Sequence, residues 1–240
     1  MEIKGVLFDK DGTLLEFHQM WLKVSQGVVE VLLERYPNQS VISTECLLSA
    51  IGVSGERVDN SGLLASNPVE DIALAWFEIL IPDCSPTRFI DEVKTLFNQQ
   101  VEKNSALIQA LPGIETVLIA LKQNGFKLGI ATADTKAATL YSLEQANLLG
   151  LFDFIGYSDG DIAPKPAPAL MEAFCRQCGL TAGQVVMLGD TVSDMKFGRN
   201  AGAISVGVLT GTATKAELEP HARLVLASVA DFNPGLLDMA

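Results

Sequence analysis

The stretch Ile3-Lys4-Gly5-Val6-Leu7-Phe8-Asp9-Lys10-Asp11-Gly12-Thr13-Leu14 decides the fold. Val6-Leu7-Phe8 is an apolar run of strand type that ends in two aspartates one residue apart, with a glycine directly after. Reactive groups in a parallel sheet collect at the carboxyl ends of the strands, where the crevice lies. Asp9 and Asp11 are therefore expected at such an edge. Carboxylates this close repel each other unless a cation joins them. Hard oxygen ligands suit magnesium, with phosphate oxygens filling the remaining positions. The same residues are compatible with a plain turn, since Asp and Gly are common in turns. An EF-hand calcium loop does not fit: it needs Gly at its sixth position and Glu at its twelfth, and here Gly12 stands fourth and Met20 twelfth.

Downstream of Leu14 the pattern turns helical. Apolar residues at 21, 22, 24, 28, 29, 31, 32 and 33 have helical spacing, and Pro37 ends that run. Residues 43–51, 68–80 and 87–101 read as further helices, with Asn67 as the N-cap of the second of these. Between them, residues 52–66 form a loop rich in Gly, Ser and Asn. Alternation resumes at Pro112-Gly113. Helices are predicted from there to Gln123, over 135–146 with Asp134 as N-cap, from Lys165-Pro166 to Cys178, and over 192–201. Strands are predicted over 127–132, 152–156, 184–188, 203–208 and 223–226. Strand and helix alternating at this pitch imply an α/β fold with a doubly wound parallel sheet. Residues 16–107 interrupt the alternation, so they are expected to be an inserted all-helical domain, with 1–15 and 108–240 forming the α/β core.

The whole chain narrows the function. Its 240 residues are 48% hydrophobic and 19% charged, with a net charge of −12. That composition gives a packed core. The negative field repels nucleic acid and anionic membrane, so neither is expected as a partner, and any phosphate site must be locally positive. Residues 1–9 lack a signal-peptide cleavage site, and no stretch approaches the ~20 apolar residues of a membrane helix. Cys46, Cys84, Cys175 and Cys178 are scattered, which suits reduced thiols and a cytoplasmic location. Cys175-Arg-Gln-Cys178 has no second pair to complete a zinc site and reads as two ordinary thiols in a helix. The oligomeric state stays open.

Three more strand ends carry polar signals. Thr132 ends the second strand, Lys165 follows the third, and Asp190 ends the fourth. Each has a structural reading of its own: Thr132 as a helix cap, Lys165 as a solvated lysine, and Thr191-Val-Ser-Asp194 as a capping box beside a turn at Asp190. Together with Asp9 and Asp11, however, all of them fall at carboxyl ends that one crevice gathers.

These residues, in this order, resemble the four motifs of the haloacid dehalogenase-like (HAD) superfamily. Phe8-Asp-Lys-Asp-Gly-Thr-Leu14 resembles the first, Thr132 the second, Lys165-Pro166 the third, and Gly189-Asp-Thr-Val-Ser-Asp194 the fourth. The helical insertion and Ala163-Pro-Lys-Pro-Ala-Pro168 resemble the phosphoglycolate phosphatase and phosphomutase branch with a C1-type cap. Lys10 departs from the apolar residue more frequent between the two aspartates.

The resemblance implies an aspartyl-phosphate mechanism. Asp9 would be nucleophile, and Asp11 general acid and then base. Mg2+ would be held by Asp9, Asp190 and the Asp11 carbonyl, with Asp194 in its surroundings. Thr132, Lys165 and the backbone N–H groups of Lys10 and Asp11 would bind the phosphoryl oxygens. The expected function is magnesium-dependent hydrolysis of a small phosphorylated metabolite such as phosphoglycolate. The alternatives are a phosphomutase of the same branch and a non-catalytic protein that binds such a metabolite. A phosphonatase would need a Schiff-base lysine, for which the insert offers only Lys23, Lys94 and Lys103. His18, near the start of the insert, reads as a hinge residue or a substrate contact.

Overall fold

The computed structural model describes residues 2–37, 42–158 and 162–238. The apolar run forms β1 (Gly5–Phe8), buried at every position. After it come α1 (His18–Arg35), α2 (Thr44–Ala50), a hairpin of β2 (Val53–Ser54) and β3 (Arg57–Val58), then α3 (Leu63–Ser66), α4 (Val69–Leu80) and α5 (Pro86–Lys103). The insert is therefore helical apart from a two-strand hairpin of two residues each, turned at Gly55 with φ +60. Alternation then resumes with α6 (Ile114–Gln123), β4 (Lys127–Ala131), α7 (Lys136–Gln145), β5 (Phe154–Gly156) and α8 (Ala169–Cys178). It continues through β6 (Val185–Gly189), α9 (Val192–Ala201), β7 (Ile204–Val208), α10 (Lys215–Leu218) and β8 (Leu224–Leu226).

The large sheet has the order β5-β4-β1-β6-β7-β8, and every pairing in it is parallel. β1 lies in the middle, with Val6 in register with Leu128 on one side and Val186 on the other. The chain runs outward from β4 to β5 and then crosses back to β6 on the far side of β1. That reversal opens a crevice at the carboxyl ends of β1, β4 and β6. Side chains alternate across the sheet. Val6, Phe8, Ile130 and Leu188 pack against α6 and α7, while Leu7, Met187, Phe174 and Phe197 fill the other face under α8 and α9. No described helix is long and apolar enough to cross a membrane.

Three helix starts differ from the sequence expectation. Pro68, not Asn67, caps α4; the Asn67 amide instead donates to Asp71 Oδ2 at 2.8 Å. Thr135 caps α7 by accepting from the Ala138 N–H at 3.2 Å, which leaves the Asp134 side chain for another partner. α8 starts at Ala169 rather than at Lys165-Pro166. Proline disfavours helical backbone in the residue before it, so Pro166 and Pro168 hold residues 163–167 out of the helix until Pro168 itself can cap it.

The insert is joined to the sheet by two chain segments that pair with each other. The Glu16 N–H donates to Gln109 O at 3.0 Å, and the Leu111 N–H to Leu14 O at 2.9 Å. Its interior is built on Trp76, fully buried and stacked on Phe97 with ring centroids 5.9 Å apart and planes 8° apart. The Trp76 indole N–H donates to Leu47 O at 2.8 Å, tying α4 to α2. Trp76→Ala is expected to cost about 3–5 kcal/mol of stability, the usual loss for a large aromatic in a core. Urea unfolding followed by circular dichroism checks this.

Candidate active site

The crevice gathers the charged residues from four loops. Asp9 follows β1 directly, and its N–H donates to Leu188 O of β6 at 2.9 Å, which fixes its backbone at the sheet edge. Lys165 is buried, not solvated. Its Nζ donates to Asp9 Oδ1 and to Asp194 Oδ1, each at 2.6 Å. The second oxygen of Asp194 closes the capping box of α9, accepting from the Thr191 N–H at 3.0 Å and the Thr191 hydroxyl at 2.6 Å. Asp194 is thus both a cap and a site residue. Asp190, at 1% exposure, accepts from the Thr13 hydroxyl at 3.1 Å and the Thr212 N–H at 2.9 Å.

Glycine is required where the loops crowd Asp190. Gly12 has φ +77, and a Cβ there would stand 2.7 Å from Asp190 Oδ2. A side chain on Gly211 would run into the same carboxylate. The Thr210 hydroxyl donates to Gly12 O at 2.6 Å, so the loops after β1, β6 and β7 are tied together.

Lys10 turns its side chain inward. Its Nζ is fully buried, 2.7 Å from Asp11 Oδ2 and 2.9 Å from Asp134 Oδ2, and it sits 5.7 Å from the centroid of the Trp21 ring. In sequence Asp134 reads as a helix cap. Its place two residues after Thr132 at the end of β4 is the available signal, because that position also faces the crevice. Thr132 is buried, and its hydroxyl accepts from the Asp134 N–H at 3.2 Å. His18 does not line the cleft; its Nε2 lies 3.3 Å from Gly211 O.

The electrostatics follow from burial. Five carboxylates (Asp9, Asp11, Asp134, Asp190 and Asp194) crowd around two amines, those of Lys10 and Lys165. The side chains of the site therefore carry a net negative charge, and the local positive charge that a phosphate site needs would have to come from a bound cation and from backbone N–H groups. Burial opposes a charged Lys165, but Asp194 and Asp9 together hold the amine above its ordinary range. Burial likewise opposes the Lys10 cation, and Asp11 and Asp134 reverse the effect. Burial, with Asp194 adding to it, pushes the Asp190 carboxyl up to about 7, against the Thr212 N–H, Lys165 and Thr13. Ligand oxygens of Asp9, Asp190 and Asp194 lie within 4.8 Å of one another. A hard divalent cation is the species that such a donor set fits.

Above these groups lies a cleft of about 50 Å3. The core contributes Asp9, Asp11, Thr132 and Lys165, and the insert contributes Trp21, Leu64, Asn67, Ile72 and Phe97. Sequence reasoning misses Trp21, Ile72 and Phe97 as parts of the site, because apolar residues at helical spacing read as core. The Thr135 hydroxyl, at the start of α7, donates to Asn98 Oδ1 of α5 at 3.0 Å.

Residues 3–202 match the haloacid dehalogenase-like hydrolases. The chain belongs to this family. Among its relatives, a probable phosphatase IndB of Dickeya dadantii is 26% identical over 216 residues, covering 89% of this chain and 84% of that one. A phosphonoacetaldehyde hydrolase of Bacillus cereus is 27% identical over 219 residues, covering 88% and 78%. A hydrolase from Pseudomonas syringae shares the fold, with a TM-score of 0.75 at 20% identity and 99% of each chain covered.

The Lys10 clamp makes a prediction. Breaking a buried ion pair leaves an uncompensated charge and costs about 3–5 kcal/mol. Lys10→Met is expected to lose about that much stability, whereas adding Asp134→Asn removes one stranded charge and recovers part of it. A double-mutant cycle by urea unfolding measures the coupling.

Proposed function

We propose that this hydrolase is a magnesium-dependent phosphatase that cleaves small phosphomonoesters through an aspartyl-phosphate on Asp9. The observation that carries the reading is the end of β1, where Asp9, held by Lys165 at 2.6 Å, shares one cleft with Asp11 two residues on. A nucleophile and a second carboxyl group on the same cleft wall divide the chemistry between them. The Asp9 carboxylate attacks phosphorus, and the bond from phosphorus to the ester oxygen breaks. Asp11 gives its proton to the departing alcohol. It then takes a proton from the water that attacks the aspartyl-phosphate, which releases phosphate and regenerates Asp9.

Lys165 and Thr132 line the floor of the cleft and would bind the equatorial phosphoryl oxygens together with the Lys10 and Asp11 N–H groups. Lys10 keeps the Asp11 carboxylate in one orientation. Mg2+ would be held by the carboxylates of Asp9 and Asp190 and the backbone carbonyl of Asp11, with Asp194 beside it. When bound, it neutralises charge on the phosphate and on the crowded aspartates. The insert closes the cleft from above and excludes bulk water.

The rival activities fit less well. Breaking a carbon–phosphorus bond next to a carbonyl calls for an electron sink such as a lysine imine. Lys23 and Lys103 are exposed, and Lys94 pairs with Glu70 at 2.5 Å. None of the three lines the cleft. A mutase working on a bisphosphate needs a second cationic pocket, and the cleft holds one amine, that of Lys165.

Phosphate release from nitrophenyl phosphate should require magnesium and stop on exhaustive chelation. Unchanged turnover after chelation would remove the metal from the account. Lys165→Ala should lower kcat/KM by the equivalent of about 2–4 kcal/mol, by analogy with losing one preorganised donor. Steady-state kinetics on the purified variant measure the loss.

A further inference from the structure

The proposed phosphatase reading leaves the leaving group undefined, and the walls of the cleft define it. All the lysines, arginines and histidines of the chain lie among the described residues. Only one of them, Lys165, lines the cleft, and its amine is already shared between Asp9 and Asp194. Lys10 lies behind the surface, fully buried between Asp11 and Asp134. A magnesium ion at the acidic cluster would be matched by the reacting phosphate itself, so a carboxylate or second phosphate on the substrate would find no cationic side chain free to pair with it. An unpaired ion in such a place is strongly disfavoured.

Where the leaving group must sit, the insert presents Leu64, Ile72 and Phe97 beside Ser66 and Asn67, and these two are already partnered, the Ser66 hydroxyl by Asn67 Oδ1 and the Asn67 amide by Asp71 Oδ2. Within this wall one polar group has no partner. Trp21 is 7% exposed and lines the cleft, and its indole Nε1 makes no hydrogen bond. Buried N–H donors are nearly always satisfied, and an exception calls for an explanation. A ligand acceptor supplies one. Trp76, the other tryptophan, has its own protein acceptor in Leu47 O.

We infer that the substrate, on the phosphatase reading above, is the phosphate ester of an uncharged alcohol bearing one hydrogen-bond acceptor, which the Trp21 indole N–H engages, and that esters with an anionic tail are rejected. The reaction that supplies the substrate is then phosphorylation of a small neutral polyol or hydroxy-ether, and the product is that neutral alcohol.

Matched esters test this on the full-length protein with magnesium. The series is 2-hydroxyethyl phosphate, ethyl phosphate and phosphoglycolate, which share a two-carbon tail, with nitrophenyl phosphate as reference. The kcat/KM for 2-hydroxyethyl phosphate should exceed that for phosphoglycolate at least tenfold. Equal or faster hydrolysis of phosphoglycolate overturns the inference while the phosphatase reading stands. Failure to hydrolyse any ester, nitrophenyl phosphate included, overturns the phosphatase reading and the inference with it. Trp21→Phe keeps a ring and deletes the donor. It should lower kcat/KM for the hydroxyethyl ester about fivefold more than for the ethyl ester, the effect of one net hydrogen bond. An equal loss on both esters would overturn the role of Trp21. The wild-type series decides the charge preference even if that variant does not fold.

Discussion

Five carboxylates are held within one buried crevice against two lysines, and this charge imbalance governs the rest of the structure. Carboxylates so placed are tolerated only when each finds donors or cations. The fold supplies them from separate strand ends. Lys165 arrives from the loop before α8 to bridge Asp9 and Asp194. Thr13 and the Thr212 N–H come from the loops after β1 and β7 to Asp190. Lys10 is turned under the chain to join Asp11 with Asp134. A phosphate dianion would deepen the imbalance, and a divalent cation at the Asp9, Asp190 and Asp194 cluster would relieve it. The residues that crowd one another in the free protein are those that the proposed chemistry uses.

The insert supplies the other half of the cleft by a different kind of physics. Its contribution is apolar, through the Trp21, Phe97 and Trp76 rings in contact along α1, α4 and α5. Trp21 belongs to both halves, with one face toward the Lys10 amine and an edge without a hydrogen-bond partner. The aromatic wall places apolar surface over these charges, and less water beside them strengthens their interactions. Packing of the insert and electrostatics of the core are therefore linked through one residue.

Much of this is legible in the sequence because strand ends are marked twice, by the point where an apolar run stops and by the polar residue directly after it. Val6-Leu7-Phe8 into Asp9, and Val185 to Gly189 into Asp190, need no tertiary information. The parallel sheet is implied by the alternation, and the capping box at Thr191 is readable from spacing alone. The charge balance of the site is not, since net charge says nothing of which side chains are buried together. Asp134 reads as a cap because an Asp before a helix usually is one, but Thr135 takes that place and frees Asp134 for Lys10. The start of α8 shifts because Pro166 and Pro168 act on the backbone jointly rather than one by one. Trp21 is invisible as a site residue because helical periodicity does not distinguish a wall of the core from a wall of a cleft.

The central claim is that Asp9 and Asp11 divide nucleophilic and proton-transfer work, and one measurement addresses it directly. Asp11→Asn keeps the backbone carbonyl and removes the acid and base. A nitrophenyl ester, whose leaving group needs little protonation, should still phosphorylate Asp9 in that variant, and the adduct should persist without a base to activate water. Rapid quench and then intact-mass measurement should show one added phosphoryl group on Asp11→Asn and none on Asp9→Asn. An adduct on Asp9→Asn with none on Asp11→Asn would contradict the account and exchange the two roles.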